Sequence, residues 1–144
     1  KNETVYPQTA DFTFYGGIYR DVSLITVNKN RFDLDYYGAS GIKITPAVNG
    51  ADGEVVAEAY ITGGGEVKIT VYDKDGASGE RLTVKNARLW NGVADPYLYT
   101  LKAELTADGK IVDCISRRFG FRTFSFDPDK GFILNGKPYP LRGV

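Results

Sequence analysis

Tyr97-Leu98-Tyr99-Thr100-Leu101-Lys102-Ala103-Glu104-Leu105 is the longest cleanly alternating stretch of the chain. Tyr97, Tyr99, Leu101, Ala103 and Leu105 fall on one side of an extended backbone, and Leu98, Thr100, Lys102 and Glu104 on the other. That period of two is the mark of a half-buried β-strand. The turn residues Ala107-Asp108-Gly109-Lys110 follow, and Ile111–Ser116 is read as the returning strand. Upstream, Val55, Ala57, Ala59 and Ile61 form a second stripe, and Val67, Ile69 and Val71 a third, opposed by Lys68, Thr70 and Tyr72. Gly63-Gly64-Gly65 separates these two runs and Asp73-Lys74-Asp75-Gly76 ends the later one, so hairpin connections are expected at both.

Ile42, Ile44, Leu82 and Val84 complete about seven strands between Phe32 and Phe126, the number and spacing of an antiparallel immunoglobulin-like β-sandwich. The fold class expected is therefore all-β. Asp95, Tyr99 and Leu101 have the spacing of a tyrosine corner, with Leu101 where antibody domains carry their second Cys. Trp90 precedes this strand instead of lying on an early central one, so antibody-type Cys-Trp-Cys packing is excluded and a packed position at the sandwich edge is expected. Phe12–Val27 is an aromatic and β-branched run around Gly16-Gly17. Near the other end, Asn135-Gly136 between Phe132-Ile133-Leu134 and Tyr139-Pro140-Leu141 is a strong hairpin signal.

The chain has 144 residues, 42% hydrophobic and 25% charged, the composition of one ordinary globular domain. Its apolar runs are far shorter than the roughly 20 residues that cross a bilayer, so no membrane-spanning helix is expected. Eighteen basic residues balance eighteen acidic ones and are scattered, which argues against nucleic acid as a partner. There is no His, which removes the commonest acid/base and metal ligand near neutral pH. The single Cys, Cys114, excludes an internal disulfide and every CxxC motif. Met is absent and the chain opens on Lys1 without a leader, so an excised piece of a longer protein is expected. Neither one thiol nor the sequon Asn2-Glu3-Thr4 assigns a compartment.

Asp33/Asp35, Asp73/Asp75 and Asp127/Asp129 are the close carboxylate pairs, and each is read as turn or strand-face chemistry in preference to a catalytic dyad. The D-x-D stretches at 73 and 127 lack the downstream Glu of a calcium loop, and Gly63-Gly64-Gly65 opens no helix that could cradle phosphate. No catalytic, cofactor-binding or metal-ligating residue is assigned, and no cofactor. Arg117-Arg118 and Arg122 flank Phe119-Gly120-Phe121, a cluster able to stack on single-stranded nucleic acid but read in preference as a strand end docked on a neighbouring domain. Exposed Tyr residues with Trp90 suit a sugar-stacking platform, which would make the domain an autonomous carbohydrate-binding or adhesion module. Core filling is the commoner fate of aromatics.

Four stretches in order resemble glycoside hydrolase family 2, the β-galactosidases, β-glucuronidases and β-mannosidases. Asp11–Val22, with Gly17, Arg20 and Asp21, is similar to the end of the family's N-terminal sugar-binding jelly roll. Leu89-Trp90 with Asp95-Pro96-Tyr97-Leu98-Tyr99 resembles its middle immunoglobulin-like domain, and Phe119-Gly120-Phe121-Arg122 that domain's last strand. Gly131-Phe132-Ile133-Leu134-Asn135-Gly136-Lys137-Pro138 through Leu141-Arg142-Gly143-Val144 is similar to the lead into the catalytic barrel. The wording Tyr-Gly-Gly-Ile-Tyr-Arg-Asp-Val matches β-galactosidase-like members best. The resemblance implies three segments: 1–28 from the jelly roll, 29–126 as the sandwich, and 127–144 as a hairpin leading into the barrel. The barrel and its two catalytic Glu would lie beyond Val144. A scaffolding role follows, with the sugar-binding and barrel domains of the same parent chain as partners and a homo-oligomer as a further implied partner. Arg20 and Arg122 are candidates for tying domains together by bidentate pairs, with plain surface arginines as the alternative.

Strands separated from their native sheets expose unpaired backbone. Lys1–Tyr15 is therefore expected to be poorly ordered or paired with a neighbouring copy, with Phe32–Phe126 compact regardless. Retaining hydrolysis needs two carboxyl groups roughly 5–5.5 Å apart beside a sugar cleft, and none is assigned here. Residues 1–144 are expected to turn over no chromogenic β-galactoside. Turnover proportional to chain concentration that survives repurification would contradict this.

Overall fold

The computed structural model describes residues 17–142 apart from 19, 39, 80 and 81. The expectation for Lys1–Tyr15 and the motif residue Gly143 lie outside them. The strands are β1 (Arg31–Phe32), β2 (Ile42–Asn49), β3 (Asp52–Ala59), β4 (Ile61–Thr62), β5 (Glu66–Tyr72) and β6 (Ala77–Gly79). They continue as β7 (Thr83–Val84), β8 (Tyr99–Ala107), β9 (Lys110–Phe119), β10 (Phe124–Asp127), β11 (Gly131–Leu134) and β12 (Lys137–Pro138). A three-stranded sheet β2-β3-β7 and a four-stranded sheet β6-β5-β8-β9 make the sandwich, with a short β1-β4 pair beside them. A separate three-stranded sheet β10-β11-β12 follows, and every ladder among the described residues is antiparallel.

The local chemistry accounts for the hairpins. Asp108 and Gly109 join β8 to β9 with φ of 51° and 72°, and Asn135 and Gly136 join β11 to β12 with 49° and 76°. Positive φ at both central residues is the turn whose twist matches the flanking strands. A third hairpin, β2 to β3, turns at Gly50 with φ of 62°. The Gly63-Gly64-Gly65 segment departs from the hairpin expectation. β4, directly before them, pairs with β1, whereas β5 pairs with β6 and β8, so the three glycines carry the chain from the β1-β4 pair into the four-stranded sheet. Alternation specifies which face of a strand is apolar but not which neighbour it takes.

The core joins the inner faces of both sheets. Ile42, Val55 and Val84 from one side meet Val71, Leu101, Ala103, Leu105, Ile115 and Phe119 from the other, with Phe32, Tyr97, Tyr99 and Phe121. The whole inward stripe of the opening stretch, Tyr97 through Leu105, is buried, and Leu101, Ala103 and Leu105 are inaccessible to solvent. Thr70 departs from its expected polar face, being only 8% exposed. It lies on an inner strand opposite the longer Lys102, which shields a short side chain. Phe121, also inaccessible, reaches across to β3, where a Cβ on Gly53 would lie 2.6 Å from the ring tip. Only glycine permits that approach.

Among residues 17–28 that are described, none joins a ladder, and Val22, Leu24 and Ile25 are exposed. The Asn28 side chain donates to the Val112 carbonyl at 2.6 Å and the Phe32 amide to the Asp113 carboxylate at 2.8 Å, which fastens the end of this segment along the outer edge of β9.

Leu101→Ala is expected to lower unfolding free energy in urea melts by roughly 2–5 kcal/mol. Lys102→Ala, on the other face and in a partly exposed pair with Glu104, should cost less than about 1 kcal/mol. Equal losses would show that the strand's inward face is misassigned. Gly53→Ala should destabilise by roughly 1–3 kcal/mol, since Phe121 must leave its seat.

Candidate interdomain docking surface

Tyr99, at the start of β8, sets one end of the sandwich. Its hydroxyl accepts the Arg88 amide at 2.8 Å, the backbone bond of a tyrosine corner. Burial is the largest cause holding that phenol's pKa above its ordinary 10.0. The Arg88 guanidinium in turn grips Asp95 with two bonds, at 2.9 and 3.1 Å, and lies over the Tyr97 ring 4.7 Å from its centre. The bond to Asp95 raises the arginine's pKa further. The loop from Arg88 to Asp95 is thereby clasped at both ends.

On that loop, Trp90 is half-buried and its amide donates to the Phe121 carbonyl at 2.8 Å. Gly120 is buried, and a Cβ there would press on the Trp90 Cβ at 2.9 Å and on Leu98 at 3.2 Å. The Arg122 guanidinium covers the indole at 5.2 Å. These contacts place Trp90 at the sandwich edge, in line with its sequence reading, and they engage Arg122 within its own domain.

The sheet β10-β11-β12 is attached to this loop through Asn135. Its side-chain amide donates to the Trp90 carbonyl at 2.9 Å and to the Asn91 side chain at 2.7 Å, while its oxygen accepts the Thr123 amide at 2.8 Å. Tyr139 closes over Gly92, and the Val93 amide reaches its hydroxyl at 3.4 Å. Leu134, 3% exposed, is the apolar anchor of the same sheet.

What this sheet presents outward is aromatic. Phe124, Phe126, Phe132 and Tyr139 form a ladder with successive centroid distances of 6.4, 5.5 and 6.4 Å. Phe124 and Phe126 are 62% and 73% exposed. A shallow groove lined by Val93, Ala94, Tyr139, Pro140, Leu141 and Arg142 lies at Tyr139, the ladder's far end, and Val93 and Leu141 are strongly exposed. Exposed apolar rings on one sheet make this face a candidate docking surface.

The remaining sequence candidates resolve into structural chemistry. Asp33, Asp73 and Asp127 each accept the amide two residues on, at 2.7, 2.9 and 2.9 Å, and Asp127 also takes the Lys130 amide at 2.9 Å. Each D-x-D is thus an Asx turn. Among the described residues no group of three or more Cys, Asp or Glu is placed to hold a metal ion. Phe119 and Phe121 are packed on Tyr99 in the core at 5.9 and 5.0 Å, so their rings do not face a nucleobase.

Of the family-motif residues, Trp90, Tyr99, Phe119, Gly120, Arg122, Phe132, Asn135 and Gly136 converge at this end of the sandwich, and Pro96 sits exposed on the turn before β8. Gly131 has φ of 75° at the tight return from β10 to β11. Gly17, Arg20 and Asp21 are exposed and lie outside the ladders. Sequence reasoning missed Arg88 and Tyr139. A tyrosine corner implies some upstream amide as donor, which points at the neighbourhood of Arg88, but no local pattern announces that Tyr139 packs on Gly92.

Residues 32–122 match the sequence pattern of Glycosyl hydrolases family 2, well over half of the chain. The chain belongs to glycoside hydrolase family 2. It is 36% identical to a β-glucuronidase of Bacteroides fragilis over 97% of its own length and 24% of that protein's. It is 34% identical to a β-galactosidase of Bacteroides ovatus over 85% of its length and 13% of that protein's. In structure it is similar to an FMN-binding β-glucuronidase from Facaelibacterium prausnitzii L2-6, with a TM-score of 0.81 and 36% identity over 96% of this chain and 24% of that one. This family 2 domain spans about a quarter or less of the length of these relatives.

Asn135→Ala should loosen the last sheet, leaving Thr123 and Trp90 backbone groups unpaired at roughly 1–3 kcal/mol. Amide exchange in Gly131–Leu134 would rise first, and unchanged exchange there would refute the anchor. Tyr99→Phe orphans the Arg88 amide at a similar cost. Burial favours the neutral Tyr99 phenol, so the stability of the wild type is full below pH 10.0 and falls as the pH rises through the elevated folded value, with the Arg88 amide offsetting part of that loss. The variant's stability should fall less steeply with alkaline pH than the wild type's.

Proposed function

We propose that this domain is the non-catalytic β-sandwich spacer of a longer family 2 glycoside hydrolase. It holds a sugar-binding domain on its N-terminal side and a catalytic barrel on its C-terminal side in fixed relation. The observation that supports this reading is the exposure of Phe124 and Phe126, backed by the half-buried Phe132 and Tyr139, beside a sheet that Asn135 fastens to the sandwich. The segments 1–28, 29–126 and 127–144 serve as the divisions of this proposal, with β10 crossing the second boundary so that the sandwich and the lead to the barrel share a sheet. Scaffolding suits a sandwich in which Asp33, Asp73 and Asp127, one of each close Asp pair, shape turns.

The parent is proposed to hydrolyse β-linked sugars, with β-galactosides as the substrate suggested by the wording around Tyr15–Val22. β-Glucuronides are the second reading, favoured by the relatives at 36% identity. Assay of the parent on paired chromogenic β-galactoside and β-glucuronide substrates separates the two, and turnover of neither would overturn the reading. The docking role has its own test. Phe126→Ala should shift the isolated chain by less than about 0.5 kcal/mol, as an exposed side chain does. It should destabilise the parent hydrolase by roughly 1.5–3 kcal/mol, the worth of a buried Phe. Equal effects in both would mean that nothing covers this face.

A further inference from the structure

At the β1-β4 end of the β2-β3 hairpin, away from the docking sheet, three tyrosines gather around the loop Asp33–Gly41. Tyr36 stacks on Tyr60 with centroids 4.4 Å apart and planes within 14°, and Tyr37 meets Tyr36 at 75° and 5.1 Å. The rings of Tyr36 and Tyr37 therefore form a corner, and Tyr37 is 92% exposed. Tyr37 has φ of 49° and Gly38 has 66°. A bulky residue rarely takes the left-handed region, and here it does so to project a ring into water.

The corner is held rigidly from below. The Asp33 amide donates to the Tyr60 carbonyl at 2.9 Å and the Tyr60 amide to the Gly41 carbonyl at 2.8 Å, which clips both ends of the loop to one residue. The Tyr60 hydroxyl donates to Glu58 at 3.1 Å, and Glu58 pairs with Lys43 across the β2-β3 ladder at 2.8 Å. Aromatic rings with ordered polar tips lose little entropy on binding a ligand.

We propose that this corner is a sugar-binding site, which takes a neutral oligosaccharide. Pyranose rings present C–H faces that stack on aromatic rings, and their hydroxyls suit the Glu58 carboxylate, the Lys43 ammonium and the tyrosine hydroxyls. Beside the rings the loop carries Asp33, Asp35 and Ser40, polar groups that suit a hydroxylated ligand. Three carboxylates, Asp33, Asp35 and Glu58, against the one ammonium of Lys43 disfavour an anionic sugar chain. The inference is independent of the spacer reading, because it concerns the opposite end of the sandwich.

NMR titration of the 144-residue chain with β-1,4-galactotetraose and with cellotetraose tests it, with a tetragalacturonate as the charged control. Expected are saturable millimolar shifts at Tyr36, Tyr37 and Tyr60 with at least one neutral probe, and weaker binding of the control. Tyr37→Ala, a surface change that leaves the core intact, should weaken binding roughly 3–10-fold, and Tyr37→Phe should retain it. The proposal is overturned if neither neutral probe shifts these residues, if Tyr37→Ala binds as the wild type does, or if tetragalacturonate binds as tightly as the neutral chains. Self-association that Tyr37→Ala abolishes, in a chain that binds no sugar, would also overturn it by making the corner a contact between copies.

Discussion

The seat of Phe121 against Gly53 is the contact on which the rest hangs. The residue follows the end of β9, crosses the sandwich, and packs on Tyr99 and Phe119 at 5.0 and 5.3 Å while its ring tip reaches the backbone of β3. Two sheets that share no ladder are closed chiefly by side-chain packing, and close-packed interiors tolerate little displacement. The Phe121 carbonyl also receives the Trp90 amide, and the Trp90 carbonyl receives the Asn135 side chain. One run of contacts thus leads from the centre of the core to the outer sheet, so the orientation of the aromatic ladder is inherited from the core.

Charge plays a smaller part. Lys43–Glu58 and Lys85–Asp52 are paired at the surface, where screening leaves such bridges of little net worth. Their bonds lower the pKa of Glu58 and of Asp52. The Arg88–Asp95 pair differs in being bidentate, stacked on Tyr97 and attached to a backbone bond with Tyr99, so its contribution is the conformation of a loop. Asp33, Asp73 and Asp127 shape turns, and Lys43–Glu58 spans the β2-β3 ladder. Shape and placement are what this domain offers a larger protein.

The strand content, the inward stripe from Tyr97 to Leu105 and the turns at Asp108-Gly109 and Asn135-Gly136 were legible in the residues, because side-chain alternation and positive φ are local properties. The tyrosine corner was legible as a spacing, and the family as an ordered set of four short stretches from Asp11 to Val144. Tertiary structure decided which strands pair, and so turned Gly63-Gly64-Gly65 from an expected hairpin tip into a crossing between sheets, because turn chemistry permits a reversal without naming the partner. It also decided the fates of the aromatics. Phe121 and Phe124 are three residues apart and equally apolar, yet one is inaccessible and the other 62% exposed. Burial depends on what another part of the chain brings opposite, here Gly53 of β3, and that is a relation between distant residues which no local pattern contains.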